Sequence, residues 1–158
     1  MPAVAYIGLG ANLGAARETV HAALRDLAAE PGIEIEKVAR LYSSAPIDSS
    51  GPNYVNTVAG IRTSLNPQQL LACLQKIELR HGRERPYVNA PRTLDLDLLL
   101  YDDITMDSPA LTIPHPRMHL RAFVLQPLLD VAGNLKLAQG HIQTLLEQCK
   151  EQGLSPLL

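Results

Sequence analysis

Only two cysteines occur in the 158 residues, Cys73 and Cys149, and neither has metal-ligand spacing. Both fall in segments with helical patterning, which predicts free thiols in a reducing compartment rather than a disulfide. An excess of charge is also missing: the formal net charge is −2 and the pI about 6.2. With no surplus of cations, binding of nucleic acid or an anionic membrane by bulk electrostatics is not expected. No apolar run approaches the roughly 18 residues of a membrane span, and the opening MPAVAYIGLG has neither the basic start nor the long apolar stretch of a secretion signal. There are no repeats and no low-complexity linkers. A cytoplasmic monomer is expected, its residues 1–158 forming a single domain around one core. A Walker A motif is missing too, so any phosphate chain would be held by side chains and metal rather than by a glycine-rich cradle.

What is present is patterned. AVAYIGL, Ala3 to Leu9, reads as a first strand, followed by a glycine-rich turn and a helix from about Ala15 to Ala29 whose Val20, Ala23, Leu24 and Leu27 recur at helical spacing. The spacing of Gly8, Gly10 and Gly14 is not that of a dinucleotide fingerprint; it predicts a turn needing positive backbone angles, with Asn12 leading into the helix. IEIEKVARLYS alternates as a second strand, and Ser43 to Asn53 form a loop long enough to be functional. YVNTVAGIRTSL predicts a third strand. NPQQLLACLQKIELRHG predicts a helix capped by Asn66, with Pro67 at its first position and Gly82 beyond its end. A basic loop, Arg83 to Arg92, precedes a leucine-rich strand, and helical stretches follow around Phe123 to Val131 and His141 to Gln152. The order β-α-β-β-α-β predicts an α+β fold: a ferredoxin-like sheet with helices packed on it and additional C-terminal helices.

The leucine-rich strand poses the chemical question. In APRTLDLDLLLYD, residues two apart share a face about 6.6 Å apart, so Leu94, Leu96, Leu98 and Leu100 line one side while Asp95 and Asp97 project from the other. Neighbouring carboxylates repel unless solvent or a cation intervenes. A solvated strand face satisfies that condition, and so does a pair of Mg²⁺ ions about 3.5 to 4 Å apart. Ten of the 14 basic residues are arginines, and Arg83, Arg85 and Arg92 precede the pair. Their planar forks suit phosphate oxygens. IPHPRMHLRAF frames His115 between prolines beside Arg117, His119 and Arg121, without the partners a zinc site requires. Tyr54 and Asn56 alternate on one strand face, and with Phe123, the sole phenylalanine, they have the makings of a sandwich for a flat heterocycle.

Together, PRTLDLDLLLYD, LTIPHPRMHLRAFVLQPL, NYVN and YIGLGANLG resemble the 6-hydroxymethyl-7,8-dihydropterin pyrophosphokinases of folate biosynthesis, over Val4 to about Ala132. The resemblance implies transfer of the pyrophosphoryl group of ATP to the hydroxymethyl arm of a reduced pterin, releasing AMP, in a ferredoxin-like fold. It implies that Asp95 and Asp97 hold two Mg²⁺ ions, with Arg83, Arg92 and Asp97 catalytic. It places Gln75, Glu78, Arg85, Arg92, His115 and Arg121 on ATP. Ser44, Ala45, Pro46, Ile47, Tyr54, Asn56, Asp95 and Phe123 would bind the pterin. Ala90 stands where the family pattern has glycine, which implies altered closure of the basic loop. A non-catalytic ligand-binding module of the same fold would need no aspartate pair. An oxidoreductase would rest on the glycine turn alone.

Overall fold

The computed structural model describes residues 2–12, 15–44, 53–81 and 94–157. Its elements run β1 (Ala3–Ala11), α1 (Ala16–Ala29), β2 (Ile33–Val38), β3 (Tyr42–Ser44), β4 (Tyr54–Thr63), α2 (Pro67–Arg80) and β5 (Asp95–Tyr101). After these come a two-residue ladder of β6 (Met106–Asp107) with β7 (Thr112–Ile113), a 3₁₀ turn at Met118–Leu120 and α3 (Ala122–Ala132). The chain finishes with a hairpin of β8 (Lys136–Leu137) and β9 (Gly140–His141), then α4 (Ile142–Gln148) and β10 (Ser155–Pro156). Both helices of the first half form for the expected reasons. α1 buries Val20, Ala23 and Leu27, and α2 starts in a capping box: Asn66 accepts from Gln69 N–H while the Gln69 side chain accepts from Asn66 N–H.

The sheet is antiparallel, ordered β10–β3–β4–β1–β5, with β2 also on β4. On one face Ile7, Leu9, Ile61, Leu94, Leu96 and Leu98 pack against Leu27 of α1 and Leu70, Leu74 and Ile77 of α2. On the other, Val58, Leu99 and Leu100 meet Leu125 and Leu128 of α3 and Ile142 and Leu145 of α4. The result is three layers, with helices on both faces. Each fully buried leucine or isoleucine contributes about 1.5–3 kcal/mol relative to exposure, so both faces must be covered for the sheet to be stable. Cys73 and Cys149 are buried free thiols. Among the described residues no helix is long and apolar enough to cross a membrane.

Three expectations are corrected. Gly8 and Gly10 are strand residues inside β1, not a turn, and neither has a positive φ. Asn12 is buried, and the N-cap of α1 is Ala15 with no side-chain cap. The second strand breaks into β2 and β3. Between them Ala39 N–H still donates to Val58 C=O at 2.9 Å, while Ala39 C=O accepts from Thr57 Oγ1 at 3.0 Å. Leu100 does not share a face with Leu94, Leu96 and Leu98. A β-bulge between Tyr6 and Ile7 shifts the register of β5, so Leu99 and Leu100 both turn toward α3.

Candidate active site

The bulge leaves the first half of β5 with Asp95 and Asp97 on the α3 side of the sheet, beyond where that helix covers it. In register, Asp95 lies opposite Gly10, and Gly10 lies opposite Asn56; Asp97 lies opposite Gly8. Two glycines in β1, between β4 and β5, leave a trough between the walls. A Cβ on Gly10 would meet Asn56 Nδ2 at 2.9 Å, so nothing larger than glycine fits beside that amide. The trough is part of a cleft of about 220 Å³. Asp95 and Asp97 form one wall, Ser44, Tyr54 and Asn56 the other, and Arg121, Phe123 and Val124 at the start of α3 close the top.

Each polar group is held by its element. Ser44 Oγ donates to Asn56 Oδ1 at 2.7 Å, both residues being buried, which leaves the Asn56 amide N–H₂ as a donor beside Gly10. Arg121 lies over the Phe123 ring, 5.6 Å from its centroid. α3 itself is fixed to β3 by a short hydrogen bond from the Tyr42 hydroxyl to Asp130. Burial, reinforced by that carboxylate, pushes Tyr42 up to about 12, so the hydroxyl stays a donor at neutral pH.

Glu78, only 3% exposed on α2, accepts from Leu96 N–H at 2.8 Å. Leu96 is the residue between the two aspartates, so a carboxylate on α2 sets the pose of the strand that presents them. Glu78→Ala is expected to strand that buried N–H and to destabilise the protein by about 1–3 kcal/mol, read from the urea midpoint, with kcat falling at the same time. Glu78→Gln keeps an acceptor and is expected to lose less of both.

His115 N–H donates to Leu99 C=O at 3.0 Å, anchoring the segment after β7 to the outer edge of β5. Its Nδ1 accepts from Arg117 N–H at 3.1 Å, which makes Nε2 the protonated, donating nitrogen of a neutral ring. Burial, then the Arg121 and Arg117 charges, hold its pKa below the ordinary 6.5 despite Asp95 pulling the other way.

The cleft therefore collects Ser44, Tyr54, Asn56, Asp95, Asp97, Arg121 and Phe123 of the residues singled out by sequence. Gln75 is exposed on α2, Glu78 lies beneath β5 and His115 sits just after β7, so none of the three lines it. Arg83, Arg85, Ala90, Arg92 and Ala45 to Ile47 lie outside the described residues. Sequence reasoning missed Gly8, Leu9, Gly10, Thr57 and Val124 as lining residues; a Gly-x-Gly inside a strand pattern was the available signal for a trough.

Residues 6–133 match the family model of the 7,8-dihydro-6-hydroxymethylpterin-pyrophosphokinases (HPPK). The chain belongs to the HPPK family. It is 44% identical over 154 residues to the 2-amino-4-hydroxy-6-hydroxymethyldihydropteridine pyrophosphokinase of Pseudomonas aeruginosa, covering 96% of this chain and 95% of that one. Its identity to the Haemophilus influenzae enzyme of the same name is 43%, covering 89% and 88%. The fold is also that of a Plasmodium falciparum HPPK-DHPS crystallised with pterin and p-hydroxybenzoate, at a TM-score of 0.75 and 14% identity, with 99% of this chain spanning 47% of that one. As an HPPK, the chain is an ATP-dependent diphosphotransferase acting on the hydroxymethyl pterin in folate biosynthesis. A purely ligand-binding module is not favoured.

Proposed function

We propose that the cleft under the N-terminus of α3 is where this HPPK brings ATP and 6-hydroxymethyl-7,8-dihydropterin together, in a single domain with a ferredoxin-like core. The observation that carries this is convergence: the aspartate pair, the Asn56 amide, two aromatic rings and an arginine, drawn from β4, β5 and the start of α3, all face one cavity. A flat heterocycle fits between Tyr54 and Phe123, with Asn56 donating to its edge and Ser44 holding that amide in place. The backbone of Ala45, Pro46 and Ile47 completes this polar frame in the proposal, and Asp95 takes part in it as well as in metal binding.

Asp95 and Asp97 suit a hard divalent cation: they supply only oxygen donors, on one strand face of the cleft. Among the described residues no third acidic, histidine or cysteine ligand joins them. That fits Mg²⁺, which keeps water and substrate phosphate in most of its coordination positions. Two Mg²⁺ ions held there would neutralise the charge of the triphosphate. In this reading Asp97 or a metal-bound water takes the proton of the attacking hydroxyl. Neutral His115 donates from Nε2 to a phosphate oxygen, and Arg121 adds a charged fork beside it. Arg83, Arg85 and Arg92 clamp the moving group, and Gln75 and Glu78 complete the nucleotide side, Glu78 through its grip on β5. The whole arrangement catalyses by positioning and electrostatics, which is what a loose phosphoryl-transfer transition state requires.

The test is to incubate the protein with ATP, Mg²⁺ and the reduced pterin. AMP and the pterin diphosphate are the expected products; ADP, or no reaction at all, would overturn the reading. His115 gives an independent check. Because its folded pKa is depressed, the unfolded chain takes up the proton first as pH falls below 6.5. Its contribution to stability is therefore present above that pH and lost as pH drops through the folded value. Urea midpoints measured from pH 8 to pH 5 are expected to fall further for the wild type than for His115→Gln.

A further inference from the structure

We propose that Gln152, in the C-terminal tail, is a positioning residue for the reaction, acting through the backbone that carries Arg121 and Phe123. Arg121 sits in extended conformation at the joint between the 3₁₀ turn and α3. Such a joint leaves unpaired backbone groups on both sides, the last carbonyl of the turn and the first N–H of the helix. One primary amide satisfies both: Gln152 Nε2 donates to Leu120 C=O at 2.8 Å, and Gln152 Oε1 accepts from Ala122 N–H at 3.0 Å. α3 has no side-chain cap of its own at Arg121, so this amide does the work of one.

The tail is itself anchored at both ends. Gln152 N–H donates to Cys149 C=O, and Cys149 is buried in the core beneath α3 and α4. Gly153, at φ 72°, then turns the chain so that Ser155 and Pro156 pair with Ser43 and Tyr42 of β3, and Leu157 N–H donates to Leu41 C=O. The tail thus ties the roof of the cleft, at Arg121 and Phe123, to the strand that ends in Ser44. It lies wholly beyond residue 133, where the family match stops. Without the amide, Leu120 C=O and Ala122 N–H lose their fixed partner and the two side chains that hang between and beyond them lose their aim. A helix terminus merely needing a cap would tolerate that; a cleft roof would not.

The inference rests on Arg121 and Phe123 belonging to the substrate site, so the experiment includes them. Gln152→Met keeps the length and packing of the side chain but neither hydrogen bond; Gln152→Glu keeps the acceptor for Ala122 N–H alone. KM for the pterin and for ATP, kcat and the thermal midpoint are measured for both, beside Arg121→Ala and Phe123→Ala, at a temperature where all are folded. Gln152→Met is expected to raise the pterin KM about three- to tenfold, the equivalent of one to two hydrogen bonds, with Gln152→Glu in between. If Gln152→Met lowers the thermal midpoint while KM and kcat stay at wild-type values, Gln152 is structural only and the proposal fails. If Arg121→Ala and Phe123→Ala also leave KM and kcat unchanged, the fault lies in the site reading instead.

Discussion

Replacing Asp97 by alanine is expected to lower kcat by about 10³-fold, close to 4 kcal/mol of transition-state stabilisation, because the proposed metal site loses one of its two paired carboxylates. The fold is expected to survive. Asp97 belongs to the cleft face of β5, whereas the buried leucines that hold the strand, Leu94, Leu96 and Leu98, point the other way into the layer of α1 and α2. The buried leucine layer is untouched by the substitution, so the change in unfolding free energy is expected to stay within about 1 kcal/mol. Two measurements check this together: steady-state turnover, and the rise in thermal midpoint that ATP with Mg²⁺ confers on the wild type. The variant should lose both the turnover and most of that rise. Near-normal kcat would sink the assignment, and a collapsed midpoint without ligand would show that the aspartate is structural.

The second large effect is expected at Asn56, and on the other substrate. Asn56→Ala should raise KM for the pterin roughly 10- to 100-fold while leaving KM for ATP nearly unchanged, since a buried donor proposed to pair with the pterin edge discriminates strongly when it is lost. Asn56 is only 5% exposed, its amide is oriented by Ser44, and Gly10 leaves that amide the room it occupies. A companion variant, Asn56→Asp, separates the hydrogen bond from the cavity: it keeps the shape and replaces the N–H₂ donor by an acceptor. If the hydrogen bond carries recognition, Asn56→Asp loses at least as much pterin affinity as Asn56→Ala. An Asp variant that binds like the wild type would mean that Asn56 contributes shape alone.

Much of this site was legible in the chain before any fold was known. Asp95 and Asp97 stand out because period-two alternation puts them opposite leucines, and that period is a local property of an extended backbone. The capping box at Asn66 and the helical faces of Val20, Ala23 and Leu27 are likewise written within a few residues of one another. Tyr54 and Asn56 could be placed on one face of their strand for the same reason. The family resemblance then joined segments that no local rule connects.

Other features depended on partners distant in the chain. Gly8 and Gly10 look like a turn in isolation; they are the floor of a trough because β4 and β5 flank β1 on both sides. Leu100 leaves the face of its neighbours because β1 imposes a bulge on β5, and Glu78 grips Leu96 because α2 packs beneath that strand. Gln152 meets Leu120 and Ala122 only after α4 has brought the tail back across α3. Residue chemistry and short-range periodicity are encoded in neighbouring positions, so they can be read one segment at a time. Register, close approach and the pairing of distant backbone groups are set by how whole elements pack, and that packing exists only once the chain has closed on itself.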